Sequence, residues 1–420
     1  MAPIRLAIVG CGGMGHRHLA GLAALHRAGW QDFELVGAVD PVQSNAESLA
    51  DQAAAAFGMR PLVVAGIDDL AASDIDAVDI TTTPRSHHVA ALGALERGWH
   101  VMCEKPLGLT VRSSSLIRDA AQRAGKVVSV AENYRRDPIN RLARALLDAG
   151  VLGTPRLAIH FSLGGGSEML ISQWRHQKDQ SGVLIDVGVH YADMLEYLLG
   201  PIELVYAQTR LHEPVRSNPA AKGGQASFNP SGVYGRWQRE MPPEFEATAD
   251  DAAYGTLTFR SGAVCQYVED HAARGPAVWQ RQVFGSRGVM SLPEDRTGGE
   301  IQAFVEGRGA LGPDELLELV PDFHLDPVTA ALFGGERLAR FSWSFAETDQ
   351  RLLAIEYADF AGAIRDHRSP EVDAAQGARS VAVAYAWLES QRAGRPVTVD
   401  EVLSGSVDAY QHEIDAGMGL

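Results

Sequence analysis

Directly after the apolar run Ile4 to Val9, the chain reads Gly10-Cys11-Gly12-Gly13-Met14-Gly15. Glycines at Gly10, Gly12 and Gly15, between a strand and a helix, each have a physical task. The first permits a tight turn, the second lets a pyrophosphate approach the backbone, and the third lets helix and strand pack closely. Together they leave a helix amino terminus facing an anion. The loop therefore predicts the opening βαβ unit of a parallel, dinucleotide-binding sheet. By itself it also serves as a plain strand-to-helix turn. Asp40, at the end of the next apolar run, sharpens the reading, because a carboxylate there accepts hydrogen bonds from both ribose hydroxyls. A 2'-phosphate would meet like charge, and Pro41-Val42-Gln43-Ser44-Asn45 offers no arginine to receive one, so NAD is expected rather than NADP. Cys11, inside the loop, reads as a small filler rather than a nucleophile.

The pattern after the loop repeats the same unit. Short apolar runs Ile4 to Val9, Phe33 to Val39, Pro61 to Val64, Ala77 to Thr81, His100 to Cys103 and Val127 to Ala131 are read as strands. Helices are read over His16 to Ala28, Ser44 to Phe57, His88 to Arg97 and Val111 to Ala124, several closed by glycine. Six strands suit a doubly wound Rossmann sheet over residues 1–134, with the rest of the 420-residue chain, 135–420, as a second domain.

Beyond Asp137 the texture changes. Strand-like Arg156 to Leu163 precedes a helical segment, Leu184 to Leu199, and then the runs Ile202 to Leu211, Ala253 to Phe259 and Ala263 to Val268. Connections too short for crossover helices predict a large, mostly antiparallel sheet in an α+β domain. Residues 213–248, rich in Pro, Gly, Ser and Asn, and residues 306–347, with Pro313, Pro321 and Pro327, read as insertions. Gln350 to Arg365 and Gln376 to Ala393 read as amphipathic helices.

Composition narrows the partners. A formal charge of −16 opposes attraction to nucleic acid or anionic lipid, and no apolar stretch approaches the length of a membrane span. Three widely spaced cysteines indicate neither a disulfide framework nor a zinc site. The start of the chain enters a strand without the parts of a signal peptide, so a cytoplasmic location is expected.

Open α/β sheets bind ligands beyond the carboxyl ends of their strands, which directs attention to three segments. These are Thr81-Thr82-Thr83-Pro84-Arg85-Ser86-His87-His88, Glu104-Lys105-Pro106 and Glu132-Asn133-Tyr134-Arg135-Arg136. Lys105 stands where the fifth strand points into the crevice. In the second domain, Asp186 and His190 are four apart on one expected helix, so the carboxylate can orient the ring and favour its protonated form. Asp193 continues that face, but a two-histidine zinc motif is lacking, and no metal is expected. His16 and His18 read as packing or surface residues, and one of His87 and His88 as lying over the cofactor. Arg135, Arg136, Arg175, His176 and Lys178 are candidates to accept an acidic substituent, with a surface cluster as the plainer reading.

These segments together resemble the Gfo/Idh/MocA family. The resemblance rests on the glycine loop, Thr83-Pro84 with a following histidine, Glu104-Lys105-Pro106, Trp174-Arg175 leading into Ser181 to His190, Glu356-Tyr357-Ala358-Asp359-Phe360 and Gly394-Arg395-Pro396-Val397. Ser181 departs from a commonly found glycine, and both insertions are long. The resemblance implies an NAD-dependent oxidoreductase acting on a secondary hydroxyl of a sugar, glycoside or cyclitol. It implies a cofactor site of Gly10, Gly12, Gly13, Met14, Gly15, Asp40, Thr82, Thr83, Pro84, His87, Glu104 and Lys105, and a substrate site of Lys105, Tyr134, Arg135, Trp174, Arg175, Asp186 and His190. Lys105, Asp186 and His190 are its expected catalytic residues, meeting around the nicotinamide. A homo-oligomer, dimer or tetramer, is implied through the second sheet. Two alternatives stay open: a redox-neutral glycosidase that oxidises its substrate transiently, eliminates the aglycone, adds water and returns the hydride, and an NAD-sensing scaffold that has lost its chemistry.

Overall fold

A computed structural model describes residues 2–71, 74–225 and 228–420. The chain divides into two compact units, one of residues 1–133, 349–381 and 418–420, the other of residues 134–348 and 382–417.

In the first unit six parallel strands are ordered β3-β2-β1-β4-β5-β6. They are β1 (Ile4–Val9), β2 (Phe33–Val39), β3 (Leu62–Val64), β4 (Ala77–Ile80), β5 (His100–Glu104) and β6 (Val128–Ala131). Their central residues are buried, as a sheet covered by helices on both faces requires. Chain order reverses between β1 and β4, so the crevice of this doubly wound Rossmann sheet opens at their carboxyl ends. Helices α1 (Gly13–Arg27), α2 (Gln43–Phe57), α3 (Pro84–Glu96) and α4 (Val111–Ala124) connect the strands. Two of them begin three or four residues earlier than expected. α1 starts inside the glycine loop, and α3 starts at Pro84, whose fixed φ and missing N–H suit a first helical position. α4 keeps its expected bounds because its ends carry local signals: Thr110 Oγ1 accepts the Ser113 amide at 3.2 Å, and Gly125 takes φ +61°.

Residues 349–381, which lie within the second domain as read from the sequence, pack with the first compact unit. The Val130 amide donates to the Val372 carbonyl at 2.9 Å, extending hydrogen bonding beyond β6. A Cβ on Gly377 would stand 2.6 Å from Val130, and one on Gly21 of α1 would stand 2.5 Å from Leu353. The small residues admit this returning chain at van der Waals contact.

The second unit holds a nine-stranded sheet and a two-stranded ribbon. Its strands are β7 (Pro155–Gly165), β8 (Ile202–Arg210), β9 (Val215–Ser217), β10 (Glu244–Glu246), β11 (Ala252–Phe259), β12 (Val264–Ala273), β13 (Val278–Gly285), β14 (Gly288–Leu292), β15 (Gln302–Val305), β16 (Gly309–Leu311) and β17 (Val397–Thr398). The order is β16-β15-β14-β13-β7-β12-β11-β8-β17, antiparallel throughout except for the β7–β12 pair. β8 alternates buried and open positions, the signature of a sheet packed on one face. The helix expected over Leu184 to Leu199 is two, Val183–Asp186 and Gly188–Leu199, divided at Val187.

Residues 213–248 and 306–347 are partly regular. The first stretch contains the β9–β10 ribbon and the helix Gly235–Glu240, with Ala226 and Ser227 outside the described residues. The second contributes β16 and the helices Pro313–Glu318 and Pro327–Phe333.

Candidate functional site

Three glycines of the loop differ in what surrounds them. A Cβ on Gly10, whose φ is +99°, would stand 2.7 Å from the Thr82 nitrogen, and one on Gly15 would stand 2.3 Å from the Gly10 carbonyl oxygen. A Cβ on Gly12 would meet nothing within 4 Å. The fold itself therefore requires the outer two. Gly12 instead caps α1 and keeps open the space that a pyrophosphate at a helix amino terminus would use. Asp40, buried at the end of β2, accepts the Cys11 amide on Oδ2 and the Val42 amide on Oδ1, each at 2.8 Å. It thus joins the phosphate loop to the place where a ribose would lie. The residues present fit a nicotinamide dinucleotide: an open cradle above the helix terminus, and a carboxylate with lone pairs left for two hydroxyls. Burial, then the nearby Asp40, pushes the Cys11 thiol up to about 12, which keeps it protonated.

Thr81 joins the loops after β1 and β4 by donating Oγ1–H to the Gly10 carbonyl at 2.5 Å. Thr82, Thr83, Met14 and Lys105 keep partial exposure, whereas Gly13, Pro84, His87 and Glu104 are buried. Two of the expected cofactor residues have partners inside the unit. His87 points inward: Nδ1 lies 2.8 Å from the Pro106 carbonyl and Nε2 lies 3.1 Å from the Thr82 carbonyl, so the ring braces the turns after β4 and β5 and has no surface to lay over a cofactor. Glu104 is buried too, with Oε1 3.1 Å from His18 Nε2. Lys105, one residue on and joined to Pro106 by a cis peptide, is the partly exposed member of the motif.

In the second unit, the structure brings the expected substrate residues together as two pairs. His190 and Tyr134 stack, with ring centroids 4.1 Å apart, and the Arg296 guanidinium covers Tyr134 at 4.8 Å. Asp186 Oδ2 accepts Arg175 Nε at 2.7 Å, while Arg175 lies 4.1 Å over the Trp174 ring. The carboxylate expected to orient His190 also accepts an arginine, and Asp186 and His190 lie on successive helices divided at Val187, whose own φ and ψ stay helical. Arg135, expected to line the substrate pocket, gives its Nε to Asp193 at 2.7 Å.

Three members of the basic cluster considered for an acidic substituent have carboxylate partners within the unit. Arg135 and Arg175 have the carboxylates just named, and Lys178 pairs with Glu413. His176 accepts the Leu170 amide at 2.9 Å on Nε2, and burial followed by the nearby Arg216 pushes its pKa down to about 3.

Sequence reading passed over two polar groups. Tyr267, Glu269 and His271 alternate along β12, with His271 Nε2 2.7 Å from Glu269 Oε1 and the Tyr267 hydroxyl donating to Oε2. Glu269 lies beneath the start of the His190 helix, since a Cβ on Gly188 would stand 3.1 Å from Oε2 and 2.5 Å from the Trp387 ring. Their i, i+2 spacing was the available signal. The second group is His18, which is wholly buried between two carboxylates. Among the described residues no group of three His, Cys, Asp or Glu side chains is arranged to hold a metal ion, and no helix is long and apolar enough to cross a membrane.

Comparison with known proteins agrees with this architecture. A family model described as an oxidoreductase family, NAD-binding Rossmann fold, matches residues 4–132, and its companion, the C-terminal alpha/beta domain, matches residues 144–399. Levoglucosan dehydrogenase of Pseudarthrobacter phenanthrenivorans is 30% identical over 271 residues, covering 63% of this chain and 66% of that protein. D-glucoside 3-dehydrogenase of Escherichia coli strain K12 is 27% identical over 268 residues, 63% of this chain and 69% of that protein. The matched part thus spans about two thirds of each relative. A solved levoglucosan dehydrogenase in complex with NADH and L-sorbose aligns over 96% of this chain and 100% of its own, with a TM-score of 0.73 and 25% identity. Matched through both of its domains, the chain belongs to the GFO_IDH_MocA oxidoreductase family.

Proposed function

We propose that this protein is an NAD-dependent dehydrogenase that oxidises a secondary hydroxyl of a sugar, glycoside or cyclitol. The observation that carries the reading is the open Gly12 cradle at the start of α1, with Asp40 beside it and Lys105 partly exposed at the end of β5. Relatives named levoglucosan dehydrogenase, D-glucoside 3-dehydrogenase and inositol 2-dehydrogenase support the substrate class. Asp40 and the lack of arginine from Pro41 to Asn45 favour NAD over NADP, because a 2'-phosphate would face a carboxylate without a cation to receive it.

The Gly12 cradle and Asp40 would hold the dinucleotide, whose nicotinamide would supply the hydride acceptor for the carbinol carbon. The chain's own residues handle the hydroxyl. His190 takes the O–H proton, and the Lys105 ammonium offsets negative charge as it develops on oxygen, leaving a ketone. Tyr134 sets the plane of the His190 ring by stacking on it. Asp186 acts through Arg175 and Trp174, holding that corner of the second unit in one arrangement.

The test follows NADH absorbance and aglycone release across a panel of anhydrosugars, glucosides and inositols, with NAD and NADP compared. Accumulation of NADH with at least one polyol is expected. Release of aglycone without accumulation would replace the dehydrogenase reading by redox-neutral glycoside cleavage. Lys105→Met should depress turnover about a hundredfold or more while NADH still binds; unchanged turnover would remove Lys105 from the reaction.

A further inference from the structure

Within the first unit, four side chains from four elements form a buried chain. Tyr357, on the helix Phe345–Asp366, donates its hydroxyl to Asp79 Oδ2 on β4 at 2.5 Å. The same oxygen lies 2.9 Å from His18 Nδ1 on α1, and His18 Nε2 lies 3.1 Å from Glu104 Oε1 at the end of β5. His18, Asp79 and Tyr357 are wholly inaccessible, and Glu104 is 5% exposed. The Tyr357 ring meets the imidazole edge-on, with centroids 6.1 Å apart.

Both ring nitrogens of His18 face carboxylate oxygens. A neutral ring can donate from only one of them, leaving the other lone pair against a second acceptor in a dry site, whereas an imidazolium donates from both. Burial opposes the charge, but Asp79 and Glu104 outweigh it and hold His18 well above the ordinary histidine range. Burial would likewise raise the Glu104 carboxyl, yet the bond from His18, with Lys105 and Arg17 nearby, brings it below its usual value. The charged groups around His18 are therefore Asp79 from β4, Glu104 from β5, and Arg17 beside it on α1, which gives its Nε to Asp349 at 2.8 Å. Tyr357 and Glu356 come from the helix packed against them.

We propose that His18 is a positioning residue for Lys105: clamped between Asp79 and Glu104, it keeps the Glu104 carboxylate turned into the domain, so that the lysine presents its ammonium to substrate rather than to its neighbour. This rests on the role proposed above for Lys105. Successive side chains at a strand end point to opposite sides, so Glu104 turned inward goes with Lys105 turned outward. The clamp also ties the end of β5 to α1, the helix whose first turn forms the phosphate cradle. One buried cation thereby holds the reacting lysine in register with the cofactor loop. A displacement of about 1 Å there is enough to cost about a hundredfold in rate.

The test uses the full chain and the polyol oxidised fastest in the panel. His18→Gln removes the charge and one donor, and it should lower kcat about tenfold or more while the NADH dissociation constant, read by fluorescence, moves less than about threefold. Adding Glu104→Gln removes the carboxylate that competes for the ammonium, so His18→Gln/Glu104→Gln should turn over faster than His18→Gln alone. A merely structural histidine predicts further loss instead, and that result overturns the proposal. Lys105→Met separates the two readings. If it abolishes turnover while His18→Gln turns over like the parent protein, the clamp fails and the lysine's role stands; if it leaves turnover unchanged, the lysine's role fails. Should His18→Gln not fold, nitrogen spectra of the parent protein decide. His18, picked out by magnetisation transfer from Tyr357, should remain doubly protonated well above the ordinary histidine range, and a neutral ring at pH 7.5 overturns the proposal.

Discussion

The imidazole of His190 lies flat on the phenol of Tyr134, centroids 4.1 Å apart and planes within 3° of parallel. The two residues come from different elements, Tyr134 from the short turn after the first unit and His190 from the helix Gly188–Leu199. A ring that must exchange a proton along one direction gains from a flat partner, because tilting it loses the contact. Aromatic pairs contribute about 0.5–1.5 kcal/mol beyond burial, which converts to roughly twofold to tenfold in rate if the productive ring orientation depends on it. Tyr134→Leu should lower kcat within that range, whereas Tyr134→Phe, which keeps the stack and removes the hydroxyl that accepts Arg296, should stay closer to the parent. Steady-state kinetics on both variants checks this.

The glycine loop separates folding from binding. Gly15→Ala places a methyl 2.3 Å from a backbone oxygen, so the backbone must move, and overpacking of this kind costs about 1–3 kcal/mol. Gly12→Ala meets no protein atom within 4 Å and should leave the melting temperature near that of the parent. Its methyl occupies the cradle, so NADH affinity should fall about tenfold or more, a loss of about 1.4 kcal/mol. Thermal melts and NADH titrations on the two variants should show opposite patterns.

Arg175 and Asp186 form a buried ion pair, each side chain about 5% exposed, whereas Arg60 and Asp51 form one open to solvent, at 47% and 69%. Removing one partner of a buried pair leaves an uncompensated charge and costs about 3–5 kcal/mol. Exposed pairs contribute about 0–1 kcal/mol. Arg175→Met should therefore lower the denaturation midpoint clearly, while Arg60→Met barely moves it. Urea unfolding of both variants decides.

Asp137 caps the helix Pro138–Asp148 by accepting the Ile139 amide at 2.9 Å, and its Oδ2 accepts the Arg296 amide at 2.9 Å. Burial, with Asp295 adding to it, raises its pKa from 3.8 to about 7. A carboxyl raised on folding holds its proton more tightly in the folded state, so the stability it contributes is complete below about pH 4 and is lost as pH rises towards 7. Asp137→Asn keeps an acceptor for the Ile139 amide and cannot ionise. The melting temperature of this variant should gain on that of the parent between pH 5 and pH 8; parallel curves would show that Asp137 does not titrate there.

Much of the first unit was legible because its signals are local. The glycine loop, the caps of α4 and the alternation of apolar runs with helices act over a few residues, and the structure places all six strands close to where periodicity puts them. Connections too short for crossover helices marked the mostly antiparallel second sheet in the same way. The candidate site was less legible. Spacing of four put Asp186 and His190 on one helix, which the structure divides at Val187 into Val183–Asp186 and Gly188–Leu199.

By itself, then, the sequence determined the Rossmann sheet, the phosphate loop and the acid after β2, since these follow from hydrophobic period, glycine geometry and strand-end position. Tertiary structure alone decided which way the polar side chains turn. Glu104 and His87 have partners within the fold, His18 lies buried between two carboxylates, and the segment around Val372 returns to pack beside β6. The reason is range. His18 meets Glu104 across 86 residues and Tyr357 meets Asp79 across 278, and no local periodicity encodes which buried acid will find which base.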